Sequence, residues 1–94
     1  MFIGRVAGTV VCTRKVEGLT GFKLLLVKKL DLEDRETGDF AVAVDVVGAG
    51  HGERVLVVSG SSARQTTRTD KKPVDAVVAG IIDTVTVDKS AKGS

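Results

Sequence analysis

Five short apolar segments, separated by polar stretches that contain glycine, account for most of this 94-residue chain. Hydrophobic residues make up 43% of the chain and aromatic residues only 3%, so a core must be built from Val, Leu, Ile and Ala. That composition and spacing favour strands. The sequence therefore predicts an all-β domain with strands near Phe2–Thr13, Gly21–Asp31, Asp39–Gly48, Arg54–Gly60 and Asp75–Val87.

The first segment alternates in the way a half-buried strand does. One face is predicted to carry Phe2, Gly4, Val6, Gly8, Val10 and Cys12. Glycines within a strand favour sharp bending. Because a sheet of few strands must coil strongly to close on itself, we expect a five-stranded OB-like barrel.

Two polar turns, Glu17–Gly21 and Leu32–Gly38, are predicted to link the first three strands. Residues 61–72 lack a strand pattern and begin with serines suited to capping a helix, so they predict one short α-helix. Pro73 prevents that helix from continuing. We expect a single domain over residues 1–87 and a flexible C-terminal tail over residues 88–94.

Charge and cysteine content limit the classes of function. The 14 basic and 12 acidic residues give a net charge of +2, too balanced to predict a polyanionic partner by itself. Cys12, the single cysteine, fits a reducing compartment and is predicted to be a buried small hydrophobe. The sequence shows neither a membrane span nor a signal peptide, so we expect a soluble cytoplasmic protein.

Two segments are apolar on both faces, namely Leu24–Val27 and the last predicted strand. One face can line a barrel, and the other needs cover because exposed apolar surface costs about 25 cal/mol per Å². A subunit interface would supply that cover. The alternative is cover by the short helix or by loops of the same chain.

The glycine-rich stretch Gly48–Gly52 invites comparison with phosphate-binding loops. It is followed by the strand pattern Arg54–Val58, whereas a dinucleotide or P-loop site needs a helix there. We therefore expect no phosphate or dinucleotide cofactor. The stretch is interpreted as a tight excursion where backbone approaches backbone.

No pattern in the sequence supports catalysis or metal binding. His51, Ser61, Ser62, Asp45 and Asp83 are the candidate catalytic groups, but nothing in their spacing brings them together. One His and one Cys do not form a metal-ligand pattern. The two aspartates are interpreted as structural carboxylates, with Arg64 as a candidate partner.

Nucleic-acid binding is the main alternative function, because small OB-like barrels often bind single strands. The basic pairs Arg14-Lys15 and Lys28-Lys29 could contact phosphates. Single-strand sites also need aromatic surfaces on which bases stack, and the chain has no Trp or Tyr. Its three phenylalanines, Phe2, Phe22 and Phe40, are predicted to lie in the core, which argues against this function.

Several short motifs follow one another in a specific order. They are Gly4–Val11, Leu19–Val27, Ala43–Asp45, Val47–Gly50, Gly60–Arg64, Pro73–Ala76 and Gly80–Asp83. Together they resemble the vertex proteins of bacterial microcompartment shells, the EutN/CcmL family, over about Phe2 to Val87. Lys28-Lys29 and Cys12 depart from the residues common in that family, and these departures concern subtype.

The resemblance implies a barrel that assembles as a cyclic homopentamer and closes the corners of a polyhedral shell beside hexameric shell proteins. That role is structural and requires no enzyme activity, cofactor, nucleic acid or membrane.

A head-to-tail ring needs two different surfaces on each subunit. The residues predicted to approach the five-fold axis are Gly48, Ala49, Gly50, His51, Gly52, Glu53, Ser61 and Ser62. The residues predicted to form the subunit interface are Leu24, Leu26, Asp45, Arg64, Ile81 and Asp83. An Asp or Arg at Ala49 is expected to disrupt the ring by crowding like charges.

Overall fold

The computed structural model describes residues 1–14, 17–19, 21–59 and 75–88. Within them the five predicted strands are confirmed. Four are shorter than predicted, whereas the third begins at Glu36, inside the predicted turn Leu32–Gly38, and ends at Asp45. A short 3-10 helix at Glu17–Leu19 occupies part of the first predicted turn. The strands are β1 (Phe2–Val10), β2 (Lys23–Leu30), β3 (Glu36–Asp45), β4 (Arg54–Ser59) and β5 (Ala76–Ile81).

The five strands form a closed barrel in the order β1-β2-β3-β5-β4. Neighbours are antiparallel except β3 and β5, which are parallel, and the pairing of β1 with β4 closes the barrel. This arrangement confirms the predicted OB-like barrel. The predicted α-helix lies outside the described residues, as does the tail beyond Asp88.

Small and β-branched side chains fill the interior of the barrel. Phe2 and Ala76 pack against this inner cluster from its margins. The narrow lumen explains the near absence of aromatic residues, because a close-packed interior of this size has room only for short side chains. The inner cluster comprises Val6, Leu25, Val27, Ala43, Ala49, Val55, Val57 and Val78.

Strand β1 changes the face it presents partway along its length. Val6 pairs with Val27 of the inner cluster, whereas Gly8 pairs with Leu26, and the register shifts between Val6 and Gly8. The predicted single face over residues 2–12 is therefore wrong beyond Val6. A β-bulge inserts one extra residue, which reverses the inward and outward positions that follow it.

Gly4 is required by close packing inside this strand. A Cβ at Gly4 would overlap the Val27 side chain and lie 2.8 Å from the carbonyl oxygen of Lys28. Any larger residue would force β1 and β2 apart. This close approach is consistent with the strong curvature that the glycine pattern predicts.

A second apolar cluster lies outside the barrel at one end. Leu24, Val44 and Val77 form its buried centre. Val77 and Val78 are both fully buried, so both faces of β5 are covered within the chain itself at this point. The alternative that residues of the same chain cover the second apolar face is therefore correct for this part of β2 and β5. Partly buried neighbours of the cluster are Val10, Leu19, Phe22, Val46 and Val58.

Two predictions about burial are wrong. Phe40 was expected in the core but is 67% exposed, because even-numbered positions of β3 face outward while the small Ala43 faces the lumen. Cys12 was expected to be buried but is exposed. It lies beyond the end of β1, where the alternation of the strand no longer applies.

Candidate assembly site

Asp45 holds the first turn of the glycine loop, which we define as residues 46–53. Its Oδ1 atom accepts hydrogen bonds from the backbone N–H groups of Val47 and Gly48, both at 3.0 Å. The side chain is buried, so these bonds supply the polar partners that a buried carboxylate needs. Asp45 thus acts as a structural carboxylate within its own chain, as predicted, with backbone amides as its partners.

Glu53 closes the other half of the loop. Its Oε1 atom accepts a hydrogen bond from Gly50 N at 2.6 Å, and its own backbone N–H donates to Gly50 O at 3.1 Å. Gly48 and Gly52 have φ angles of 78° and 83°, which glycine adopts without the steric cost of a Cβ. The loop is therefore a compact, internally bonded turn.

Strand β1 anchors the glycine loop to the barrel. Val6 N donates to Glu53 O at 3.0 Å, and Gly52 N donates to Val6 O at 2.8 Å. The Arg5 Nη1 atom donates to Gly52 O at 2.9 Å. The amides of Gly48, Gly50 and Gly52 all donate within the chain, so none of them is available to bind a phosphate.

The side chains of the glycine loop point in different directions. Ala49 is 1% exposed and belongs to the inner cluster, while His51 is exposed at the loop tip. Because the exposed fraction is for the whole residue, Ala49 presents almost no surface to a neighbouring subunit. A charged residue at Ala49 would perturb the barrel core before it reached any neighbouring subunit, so this substitution does not test the ring.

A row of cations crosses the outer surface of three strands. Arg5 pairs in register with Arg54 of β4 on one side and with Lys28 of β2 on the other. Like charges on directly opposed positions destabilise a sheet. Asp34, from the turn between β2 and β3, contacts Arg5 at 3.0 Å and Arg54 at 3.2 Å, and Glu36 contacts Lys28 at 3.3 Å.

Sequence reasoning missed this Arg5–Asp34–Arg54 bridge. Its residues are 29 and 20 positions apart, so no local pattern indicates the contact. Asp34 also has a φ angle of 67°, a left-handed conformation that Asp and Asn tolerate better than most residues. The polar composition of Leu32–Gly38 indicates a turn and nothing about its partners.

The predicted interface residues do not form a single patch in the described structure. Leu24 is buried in the second cluster, Leu26 is half-buried on the outer face, and Ile81 is 40% exposed. Asp83 is exposed and accepts a hydrogen bond from Arg54 Nη2 through its backbone carbonyl at 3.3 Å. Arg64, Ser61 and Ser62 lie outside the described residues. The interface and axis assignments thus stay predictions.

The described part of the chain holds no group of three or more His, Cys, Asp or Glu residues able to bind a metal. It also contains no helix long and apolar enough to cross a membrane.

Comparisons of this chain with a family model and with individual proteins agree on one family. Residues 1–83 match the family model described as ethanolamine utilisation protein EutN/carboxysome. The chain is 53% identical over 85 residues to the bacterial microcompartment shell vertex protein GrpN of Rhodospirillum rubrum, covering 90% of this chain and 96% of that protein. It is 49% identical to the shell vertex protein EutN of Salmonella typhimurium, covering 90% and 86%.

Solved structures agree with these matches. CcmL of Gloeobacter violaceus has a TM-score of 0.89 at 51% identity, covering 94% of this chain and 91% of that chain. The GrpN pentameric microcompartment shell protein of Rhodospirillum rubrum has a TM-score of 0.86 at 49% identity, covering 94% and 100%. The chain therefore belongs to the EutN/CcmL family.

Proposed function

We propose that this chain is a structural protein that forms pentameric vertices in the shell of a bacterial microcompartment. The observation that carries the proposal is its likeness to the pentameric GrpN shell protein, with 49% identity over the whole of that chain and a TM-score of 0.86. Similarity of this extent indicates that the two subunits have the same architecture.

The geometry of the glycine loop supports a structural and non-catalytic role. Its polar groups are used to hold the loop itself and to anchor it to β1, and its glycine amides are already bonded. A binding or catalytic site would instead present unpaired groups that converge on a ligand.

We further propose that the pentamer sits beside hexameric shell proteins, within a shell located in the cytoplasm. The relatives are microcompartment and carboxysome shell vertex proteins, which supports the location in a shell. The hexameric neighbours and the cytoplasmic location are what the family resemblance implies. In this role the chain binds neither nucleic acid nor a membrane and needs no cofactor.

The mass of the purified protein in solution tests the proposal. Each subunit has a mass of 9.8 kDa, and native mass spectrometry at low micromolar concentration should give a species of five subunits. Co-expression with a hexameric shell protein should then give closed particles by electron microscopy. A monomer that binds oligonucleotide with a strong salt dependence would contradict the proposal and favour the nucleic-acid alternative.

A further inference from the structure

The strand register arranges the outer face of β1, β2 and β3 in rows. The first row is charged and runs from Arg5 through Lys28 to Phe40. The next row contains Gly8, Leu26 and Val42. A third row, with Val10, Leu24 and Val44, belongs to the second apolar cluster.

Only part of this face is covered by the chain itself. The third row is buried or half-buried in the second cluster, and the cations of the first row have carboxylate partners in Asp34 and Glu36. Phe40 and Val42 remain 67% and 43% exposed. We call Gly8, Leu26, Phe40 and Val42 the outer shelf.

A groove of about 260 Å³ adjoins the outer shelf. Leu26 and Phe40 form part of its lining, and Lys28 and Glu36, already bonded to each other, form another part. Contiguous exposed apolar surface of this kind marks interaction sites in soluble proteins. The paired charges beside it leave no excess of positive charge to attract a polyanion.

Gly8 leaves an unfilled notch in the outer shelf. Among the described residues, a Cβ at Gly8 would meet no atom within 4 Å, and Gly8 is not among the glycines with positive φ. Neither packing among the described residues nor a positive φ therefore requires glycine at this position, although glycine weakens a strand. An unfilled space on an apolar face can accommodate a backbone or side chain of a neighbouring molecule.

We propose that the outer shelf is the surface on which a second copy of this chain packs in the ring. This inference rests on the proposed function, because the pentameric relative indicates self-association. Two shelves packed face to face would close a two-fold dimer, so in a ring the neighbour must contribute a different surface.

The test fills the notch without disturbing the subunit. Gly8→Val adds a β-branched side chain to a strand position that has space for it among the described residues, so the subunit should fold with an unchanged circular dichroism spectrum. The ring should dissociate at a protein concentration at least tenfold higher than the wild type. Native mass spectrometry over a dilution series gives this midpoint, and circular dichroism checks the fold.

Gly80→Val is the matched control. Gly80 is also a strand glycine without positive φ, and in the described part of the chain no atom lies within 4 Å of an added Cβ. It lies in β5, outside the outer shelf. Because Gly80 is adjacent to Ile81, a residue predicted at the subunit interface, this variant controls for folding only, and it should keep the wild-type circular dichroism spectrum. Val42→Asp provides a second probe of the shelf at a partly exposed position and should weaken the ring at least as much as Gly8→Val.

Each outcome separates the inference from the proposed function. A wild-type pentamer that survives Gly8→Val and Val42→Asp unchanged would overturn the shelf assignment and leave the vertex function standing. A wild-type protein that is monomeric or dimeric would overturn the vertex function, and the inference with it. If Gly8→Val fails to fold, Val42→Asp decides the matter alone.

Discussion

A single buried carboxylate, that of Asp45, determines how the chain leaves β3 and enters the glycine loop. It accepts two backbone hydrogen bonds at 3.0 Å in a position where only 6% of the residue is exposed. Hydrogen bonds to an ionised acceptor contribute more to stability than bonds between neutral groups, so losing both bonds should be costly. Asp45 therefore supports the loop that we predict to lie near the five-fold axis.

Replacement of Asp45 tests this support. Asp45→Ala should lower the free energy of unfolding by about 1–3 kcal/mol, because the amides of Val47 and Gly48 lose their acceptor. Asp45→Asn keeps a carbonyl oxygen in place and should lose less. Urea unfolding, followed at one fixed protein concentration, measures both values. Equal stability of Asp45→Ala and the wild type would show that the two bonds contribute nothing.

Among the elements, the turn between β2 and β3 does more than join two strands. It folds back over the barrel so that Asp34 bridges Arg5 of β1 and Arg54 of β4. Arg5 in turn donates to Gly52 O, so the turn and the glycine loop are connected through one guanidinium. This bridge relieves the repulsion between two arginines that lie directly opposite each other.

Asp34→Asn isolates the charge of the bridge, since Asn tolerates the same positive φ angle. We expect a loss of about 1 kcal/mol in the free energy of unfolding at low salt, a loss that shrinks at high salt because the pairs are partly exposed. Asp39→Asn removes one charge from the same hairpin outside the bridge and should change stability by less than about 0.5 kcal/mol. Chemical unfolding of both variants at two salt concentrations makes the comparison. A loss for Asp34→Asn that does not depend on salt would contradict the electrostatic explanation.

At the scale of the whole molecule, a small barrel gains from association. A chain of 94 residues buries only about two thirds of its unfolded surface, and the outer shelf stays exposed in the single subunit. A closed ring would cover such surface on every subunit at once and leave no unpaired interface.

Cross-linking tests the prediction that the glycine loop approaches the five-fold axis. His51→Cys, made in a Cys12→Ser background, places one thiol on each exposed loop tip. A short bis-maleimide should then join neighbouring subunits, and in a ring of five at most two linked pairs form, with one subunit left over. Thr9→Cys in the same background puts an exposed thiol on β1 and should give few linked pairs. An intact pentamer that yields no linked pairs through His51→Cys would exclude the axial position of the loop.

The sequence by itself determined the number of strands, their approximate positions, the glycine loop and the family. These depend on local information, namely alternation, turn residues and an ordered set of motifs. Gly48 and Gly52, for example, occupy positions that need positive φ, and glycine is the residue that adopts it without strain.

Only the tertiary structure decided which face of each strand is inside. Alternation defines two faces but does not say which one lines the lumen, and a single bulge after Val6 exchanges them along β1. In β3 the larger residues Phe40 and Val42 face outward and the small Ala43 faces the lumen, an orientation that the alternation alone does not indicate. The Arg5–Asp34–Arg54 bridge and the burial of Ala49 likewise depend on segments that meet only once the barrel closes.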